Sequence, residues 1–254
     1  MKTKRLWVRA LAAALATAVP AAGAVGQVLA SFPAPAINPE ALAWGNNSLY
    51  CFCYTPPFLI YKLNPANGQI LGSYPTTPTG SETCGLGFDG AYFWAGDRET
   101  DYVYRFKTNG SVVSSFHAAW NVGQGLTFTG YHLWCTTPAL MGTYTFIQAR
   151  PDGSVVNSFL YYDYPYQPAP DNAYIWVGVK DAYLNEYQVI ALKQSQGSYV
   201  TYFDPPADQP SGAVYDGQYL WLSTIPNNGW IWKVNIAGVA VEPQSLGRVK
   251  ALFR

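Results

Sequence analysis

Gly26-Gln-Val-Leu-Ala-Ser-Phe32 is a phrase that the chain writes five times. The other copies are Gly68-Gln-Ile-Leu-Gly-Ser-Tyr74, Gly110-Ser-Val-Val-Ser-Ser-Phe116, Gly153-Ser-Val-Val-Asn-Ser-Phe159 and Gly197-Ser-Tyr-Val-Thr-Tyr-Phe203, spaced 42, 42, 43 and 44 residues apart. A strand-rich repeat of that length indicates a propeller or a solenoid, in which each unit buries its apolar face only against its neighbours.

A second motif keeps the same period. It runs Gly85-Leu-Gly-Phe-Asp-Gly-Ala-Tyr-Phe-Trp94, Gly125-Leu-Thr-Phe-Thr-Gly-Tyr-His-Leu-Trp134, Ala169-Pro-Asp-Asn-Ala-Tyr-Ile-Trp176 and Gly212-Ala-Val-Tyr-Asp-Gly-Gln-Tyr-Leu-Trp221, with Ala43-Trp-Gly-Asn-Asn-Ser-Leu-Tyr50 as a divergent fifth copy. Each copy reads as two strands joined by a two-residue turn of residues that tolerate positive φ. A third strand follows: Leu59–Leu63, Tyr102–Phe106, Thr145–Ala149, Gln188–Leu192 and Trp230–Val234. A polar turn ending in Gly then leads to the opening phrase, the fourth strand. The sum is an all-β, five-bladed β-propeller with four antiparallel strands per blade. The fifth unit stops after its third strand, whereas Gly26–Phe32 is a fourth strand with no third strand before it. The N-terminal strand is therefore expected to close the last blade, pairing two open edges; Val239–Glu242 competes for the same place.

Residues 1–24 read as a secretory signal peptide: Lys2, Lys4, Arg5 and Arg9, then a short apolar run from Ala10 to Val19, then Ala22-Gly23-Ala24 as a cleavage site. The expected mature protein is secreted, periplasmic or held at the cell surface, with a propeller over 25–238 and a tail over 239–254. Without the leader, 11 Lys and Arg stand against 15 Asp and Glu. That balance argues against nucleic acid, and no later segment has the length and apolarity of a membrane span. Charged residues are only 12% of the chain and aromatic residues 16%, a composition that fits a binding face, an interblade core of wide side chains, or both. The four cysteines are Cys51, Cys53, Cys84 and Cys135. Export permits disulfides, and placement at one end of neighbouring blades favours a Cys53–Cys84 bridge. With two histidines in the chain and no paired Cys motif, neither a metal site nor a cofactor is expected.

The aromatic-Asp-Gly-x-x-apolar-Trp strand pair, followed by a three-residue apolar alternation and Asn-Gly or Asp-Gly, resembles exported bacterial propellers of the YncE and NHL-like group over residues 26–235. The resemblance implies the fold and a binding module. The ending Ser245-Leu-Gly-Arg-Val-Lys-Ala-Leu-Phe-Arg254 is similar to short C-terminal sorting or attachment tails of some exported proteins. Five-bladed glutaminyl cyclases share a Gly-Leu…Leu-Tyr rhythm, but that family places a Glu directly after the Tyr, where this chain has Cys51 after Leu49-Tyr50.

In a propeller, the loops entering each first strand and those joining strands two and three share one face. Glu40, Cys84, Gln124, Tyr166 and Ser211 occupy equivalent positions there and are expected to ring the mouth. The flanking loops add Asp97, Arg98, Trp120, Asp181, Asp208 and Trp230. Aromatic platforms among amides and carboxylates suit a glycan, because sugar rings stack on aromatic faces while polar groups take the hydroxyls. Among the ring positions only Glu40 is acidic, and Asp89 and Asp216 fall in turns at the other end, so a pair of glycosidase carboxylates is not evident. No nucleophile elbow or phosphate loop occurs. The expected function is non-enzymatic binding of a ligand or protein partner on the loop face. The alternative is a structural or surface-assembly subunit of the envelope, associating with itself or another envelope protein. An open mouth lined by Glu40, Gln124 and Tyr166 favours binding, and a plugged one favours assembly.

Overall fold

The structure is a computed structural model that describes residues 24–76 and 79–238. Of the leader over 1–24, all but Ala24 lies outside the described residues, as does the tail over 239–254. Twenty strands form five four-stranded antiparallel sheets among the described residues. Blade one is β2 (Pro39–Gly45), β3 (Ser48–Cys53), β4 (Leu59–Leu63) and β5 (Ile70–Pro75). Blade two is β6 (Thr83–Phe88), β7 (Phe93–Asp97), β8 (Tyr102–Phe106) and β9 (Val112–His117). Blade three is β10 (Gly125–Phe128), β11 (Leu133–Pro138), β12 (Tyr144–Ala149) and β13 (Val155–Tyr161). Blade four is β14 (Tyr164–Pro170), β15 (Tyr174–Lys180), β16 (Tyr187–Lys193) and β17 (Tyr199–Phe203). Blade five is β18 (Pro210–Tyr215), β19 (Leu220–Thr224) and β20 (Trp230–Val234), completed by β1 (Val28–Pro33).

The ring closes as the repeat count requires. β1 runs antiparallel to β20, with Val28 opposite Val234 and Pro33 opposite Trp230. The Gly26 N–H donates to Asn235 O at 2.9 Å, and the Asn235 N–H returns to Gln27 O at 2.9 Å. β1 thus takes the edge that Val239–Glu242 would have needed. Gly26 has φ +84, and a Cβ placed on it would fall 2.7 Å from Phe203 Cβ in blade four. The phrase thereby interlocks the blades: the Gly that opens one copy lies on the aromatic ring that ends the copy in the preceding blade, as Gly68 does on Phe32.

The core is five interblade layers. Trp176 and Phe203 pack with Leu220 and Leu222 between blades four and five, Phe52 with Phe88 and Phe93 between one and two, and Trp134 with Phe146 and Ile175 between three and four. In four of the five copies the apolar pair of the opening phrase is not in these layers; Val200 of the fifth copy is buried between blades four and five. Val28-Leu29, Ile70-Leu71, Val112-Val113 and Val155-Val156 are all exposed on outer strands.

The inner turns correct the sequence reading in detail. Only blade one has a two-residue turn, Asn46-Asn47, with φ of +50 and +52. In blades two, four and five the turn is longer and is built on an aspartate. Asp216 Oδ1 accepts the N–H groups of Gln218 (2.8 Å) and Tyr219 (2.7 Å), while Oδ2 accepts the indole N–H of Trp221 (2.8 Å). Asp89 holds Trp94 and Asp171 holds Trp176 in the same way. The Asp-x-x-x-x-Trp spacing of the motif is this clamp, which satisfies turn donors and fixes a core indole with one carboxylate.

The expected Cys53–Cys84 bridge is absent: all four thiols are free and buried. Cys53 faces the layer between blades five and one, beside Cys51 at 3.7 Å. Cys84 faces the layer between blades two and three and donates to Val122 O. The two residues sit at the same end of adjacent blades, but their side chains point into different layers.

Candidate functional site: the two ends of the propeller axis

The axis is sealed at mid-depth by one side chain. Gln167, on β14, is buried, and its amide reaches the other four blades. Nε2 donates to the carbonyls of Leu42 (2.8 Å), Leu86 (2.9 Å) and Leu126 (3.0 Å), two hydrogens shared among three acceptors. Oε1 accepts from the N–H groups of Leu42 (2.8 Å) and Ala213 (3.2 Å). The equivalent residues of the other blades are Ala41, Gly85, Gly125 and Gly212. Small residues are required there because the innermost strands nearly touch: a Cβ on Gly85 would lie 1.9 Å from Leu126 N. The amide replaces the hydrogen bonds that these inward-facing backbone groups would otherwise lack.

Above Gln167, toward the loop face, lies a polar and aromatic mouth. Glu40, on β2, and Arg98, just after β7, form an ion pair at 2.8 Å, with side chains about a third exposed. The same Nη2 also donates to Thr83 O at 3.0 Å. Glu40 Oε2 and Arg98 Nε are covered and have no hydrogen-bond partner among the described residues. Burial pushes the Glu40 carboxyl above its ordinary range; Arg98 pulls it down and Glu82 adds to the rise. Across the mouth, Tyr144, Tyr164 and Tyr166 stand edge to face in a row, with ring centres 5.2 and 5.3 Å apart. Gln124 hydrogen-bonds Tyr164, whose hydroxyl also feels the charges of Arg98 and Glu40. Gln209 and Tyr187 bond Tyr166. Tyr54, exposed, lies under the Arg98 guanidinium at 5.9 Å.

The structure therefore brings Glu40, Arg98, Gln124 and Tyr166 together and scatters the other expected residues. Cys84 and Ser211, at equivalent ring positions, are buried; the Ser211 hydroxyl bonds Pro39 O and Ser223. Asp97 is buried, and its carboxylate holds the N–H groups of Glu99 and Thr100 in a turn. Asp181 does the same for Tyr183 and Leu184. Trp120 packs on Phe116 at the edge of the layer between blades two and three. Trp230 stacks near Trp232 on β20, and Asp208 is exposed ahead of β18. Tyr144 and Gln167 escaped the sequence reading. Gln167 is the one long residue in a sequence column of Ala and Gly, next to the more varied column that holds Tyr166.

At the other end, the inner turns of all five blades enclose a cup of about 540 Å³. Trp44, Phe88, Phe128, Pro170 and Tyr215 line it, with Asp89, Asp171 and Asp216 at the rim. Gln167 separates the two ends.

No protein-family model matches this chain, and no curated protein matches it in sequence. The fold does match solved structures. The glutaminyl cyclase of Myxococcus xanthus superposes with a TM-score of 0.64 at 12% identity, covering 83% of this chain and 96% of that one. A chain of a nidogen/laminin complex superposes with a TM-score of 0.56 at 15% identity, covering 81% and 79%. At these identities the likeness establishes the β-propeller fold.

Proposed function

We propose that this is an exported binding propeller of the YncE and NHL-like kind, whose loop-face mouth, centred on Glu40 and Arg98, takes a hydroxyl-rich ligand, a glycan in the first instance. One observation carries the reading. The ion pair leaves a carboxylate oxygen and a guanidinium N–H covered and unpartnered. Buried polar groups without partners are rare and costly. Turning the two side chains would bring these atoms to the mouth, where one sugar hydroxyl could donate to Oε2 and accept from Nε. Tyr54 and Tyr164, both exposed, supply the stacking faces. The placement of the carboxylates supports a binding role: Asp89 and Asp216 are tied into turns at the opposite end, and Glu40 is held by Arg98. The likeness to a glutaminyl cyclase supports the fold only; the position that family gives to its carboxylate is Cys51, fully buried here. Calorimetric titration with glycans, on the wild type and on Glu40→Gln, tests the reading. A glycoside-hydrolysis assay that lost its signal in Glu40→Gln would replace it with a glycosidase.

A second reading, an envelope-assembly subunit, is favoured by the outer strands. β1, β5, β9 and β13 carry exposed apolar pairs and no Asp, Glu, Lys or Arg, and uncharged edges invite pairing between chains. The sealed axis also agrees with it. Light scattering separates the two: a discrete monomer supports ligand binding, and polymers that dissolve in Val112→Lys/Val155→Lys support assembly.

A further inference from the structure

The turn-face cup is a second concave site, closed off from the loop face by Gln167. Its volume, about 540 Å³, falls within the usual range for small-molecule sites, roughly 300–1,000 Å³. Its walls are aromatic on four blades: Trp44, Phe88, Phe128 and Tyr215, with Pro170 on the remaining one. Three of these rings are already fixed. Trp44 stacks on Trp221 at 6.2 Å, Phe128 stacks on Trp94 at 5.0 Å, and the Tyr215 hydroxyl donates to Gly217 O.

The polar rim is one-sided in its chemistry. Apart from the exposed Asn172 amide, side-chain donors there are committed within the protein: Asn46 Nδ2 to Gly90 O, Thr129 Oγ1 to His132 O, and the Trp94, Trp176 and Trp221 indoles to aspartates. Acceptors remain, since an ionised carboxylate offers about four lone-pair sites. The charge is also uneven. Asp89 is neutralised by Arg105 at 2.8 Å. Lys233 holds the matching register position in blade five but rests over Tyr219 at 4.0 Å, and among the described residues it makes no ion pair with Asp216. In blade four the matching residue is Ala191, so among the described residues Asp171 makes no ion pair either. Blades four and five thus set two carboxylates without an ion-pair partner among the described residues beside the Tyr215 ring, with Trp44 next to it on blade one.

We propose that this cup binds a small organic cation, an alkylated ammonium group seated against Tyr215 and Trp44 and facing Asp171 and Asp216. Aromatic faces attract such cations through the ring quadrupole, and excluding water strengthens the attraction.

Choline chloride is the probe, 3,3-dimethyl-1-butanol its uncharged isostere, and potassium chloride the ionic-strength control, all by calorimetry on the full chain. Saturable choline binding with Kd of about 1 mM or below, without comparable binding of the isostere, is expected. Asn172 is exposed at the rim, so Asn172→Lys should place an ammonium in the cup and weaken choline about tenfold or more with unchanged melting. Glu40→Gln, at the other end, should leave choline binding intact. No saturable choline binding overturns the proposal, as do equal affinity for the isostere and indifference to Asn172→Lys. None of these outcomes bears on glycan binding at the loop face.

Discussion

Gln167 and Leu42, 125 residues apart, exchange two hydrogen bonds of 2.8 Å across the propeller axis: Oε1 accepts the Leu42 N–H, and Nε2 donates to the Leu42 carbonyl. The same amide also bonds Leu86, Leu126 and Ala213. One side chain therefore ties five blades at the point where their backbones converge. Gln167→Leu should fold less stably by about 3 kcal/mol or more, since each buried polar group left unpaired costs about 1–3 kcal/mol. Gln167→Glu should be worse near neutral pH, where a carboxylate faces three carbonyls. Burial raises the pKa of such a carboxyl in the folded state, so stability should recover as pH falls and the acid regains a donor hydrogen. Thermal melts of both variants between acidic and neutral pH check this.

The ring closes non-covalently through β1, so the N-terminal strand should control global stability. Phe32 is buried against Trp221, at a ring-centre distance of 6.0 Å, and Phe32→Ala should cost about 3–5 kcal/mol. Deleting residues 25–33 leaves the β20 edge open and should give an aggregating chain without a cooperative transition. Urea unfolding and light scattering read the two effects.

The Glu40 carboxyl should titrate above the usual carboxylate range, because burial outweighs the pull of Arg98. With a folded value above the unfolded one, its favourable contribution is complete below the unfolded pKa and is lost as pH rises through the folded one. Arg98→Gln removes the guanidinium that lowers it and should move the midpoint further up. A carbon-13 NMR titration of the Glu40 side chain reads the direction in both proteins.

Burial holds the Cys51 and Cys84 thiols well above their ordinary range and pushes Cys135 up to about 12. None of the four should react with a thiol reagent in the native state, and all four should react after unfolding. A non-reduced digest should yield no linked cysteine peptides; a Cys53–Cys84 peptide would contradict the layer assignment.

Blade number, strand order and ring closure were legible in the sequence because they rest on repetition. Gly26 and Phe203 recur in every unit as a Gly and an aromatic, and their contact makes the repeat self-reinforcing. Asp216 and Trp221 were legible as a motif but not as a clamp, since spacing alone does not show that the indole turns back to the carboxylate. Functional features break the repeat and are correspondingly hard to find. Gln167 stands where other blades have Ala or Gly. Arg98 was visible as part of a charged loop, yet its pairing with Glu40 spans 58 residues and depends on how blades one and two sit together. The Cys53–Cys84 expectation failed because strand ends fix position along a blade, whereas side-chain direction decides which interblade layer a thiol enters.

The loop-face site is tested most directly by a glycan array followed by calorimetry of the strongest binders against wild type, Glu40→Gln and Tyr164→Ala. The expected result is a glycan bound with Kd of about 1 mM or tighter, weakened about tenfold or more in both variants while their melting temperatures hold. An array with no binder at millimolar concentration, or a binder indifferent to both substitutions, would contradict a glycan site at Glu40 and Arg98.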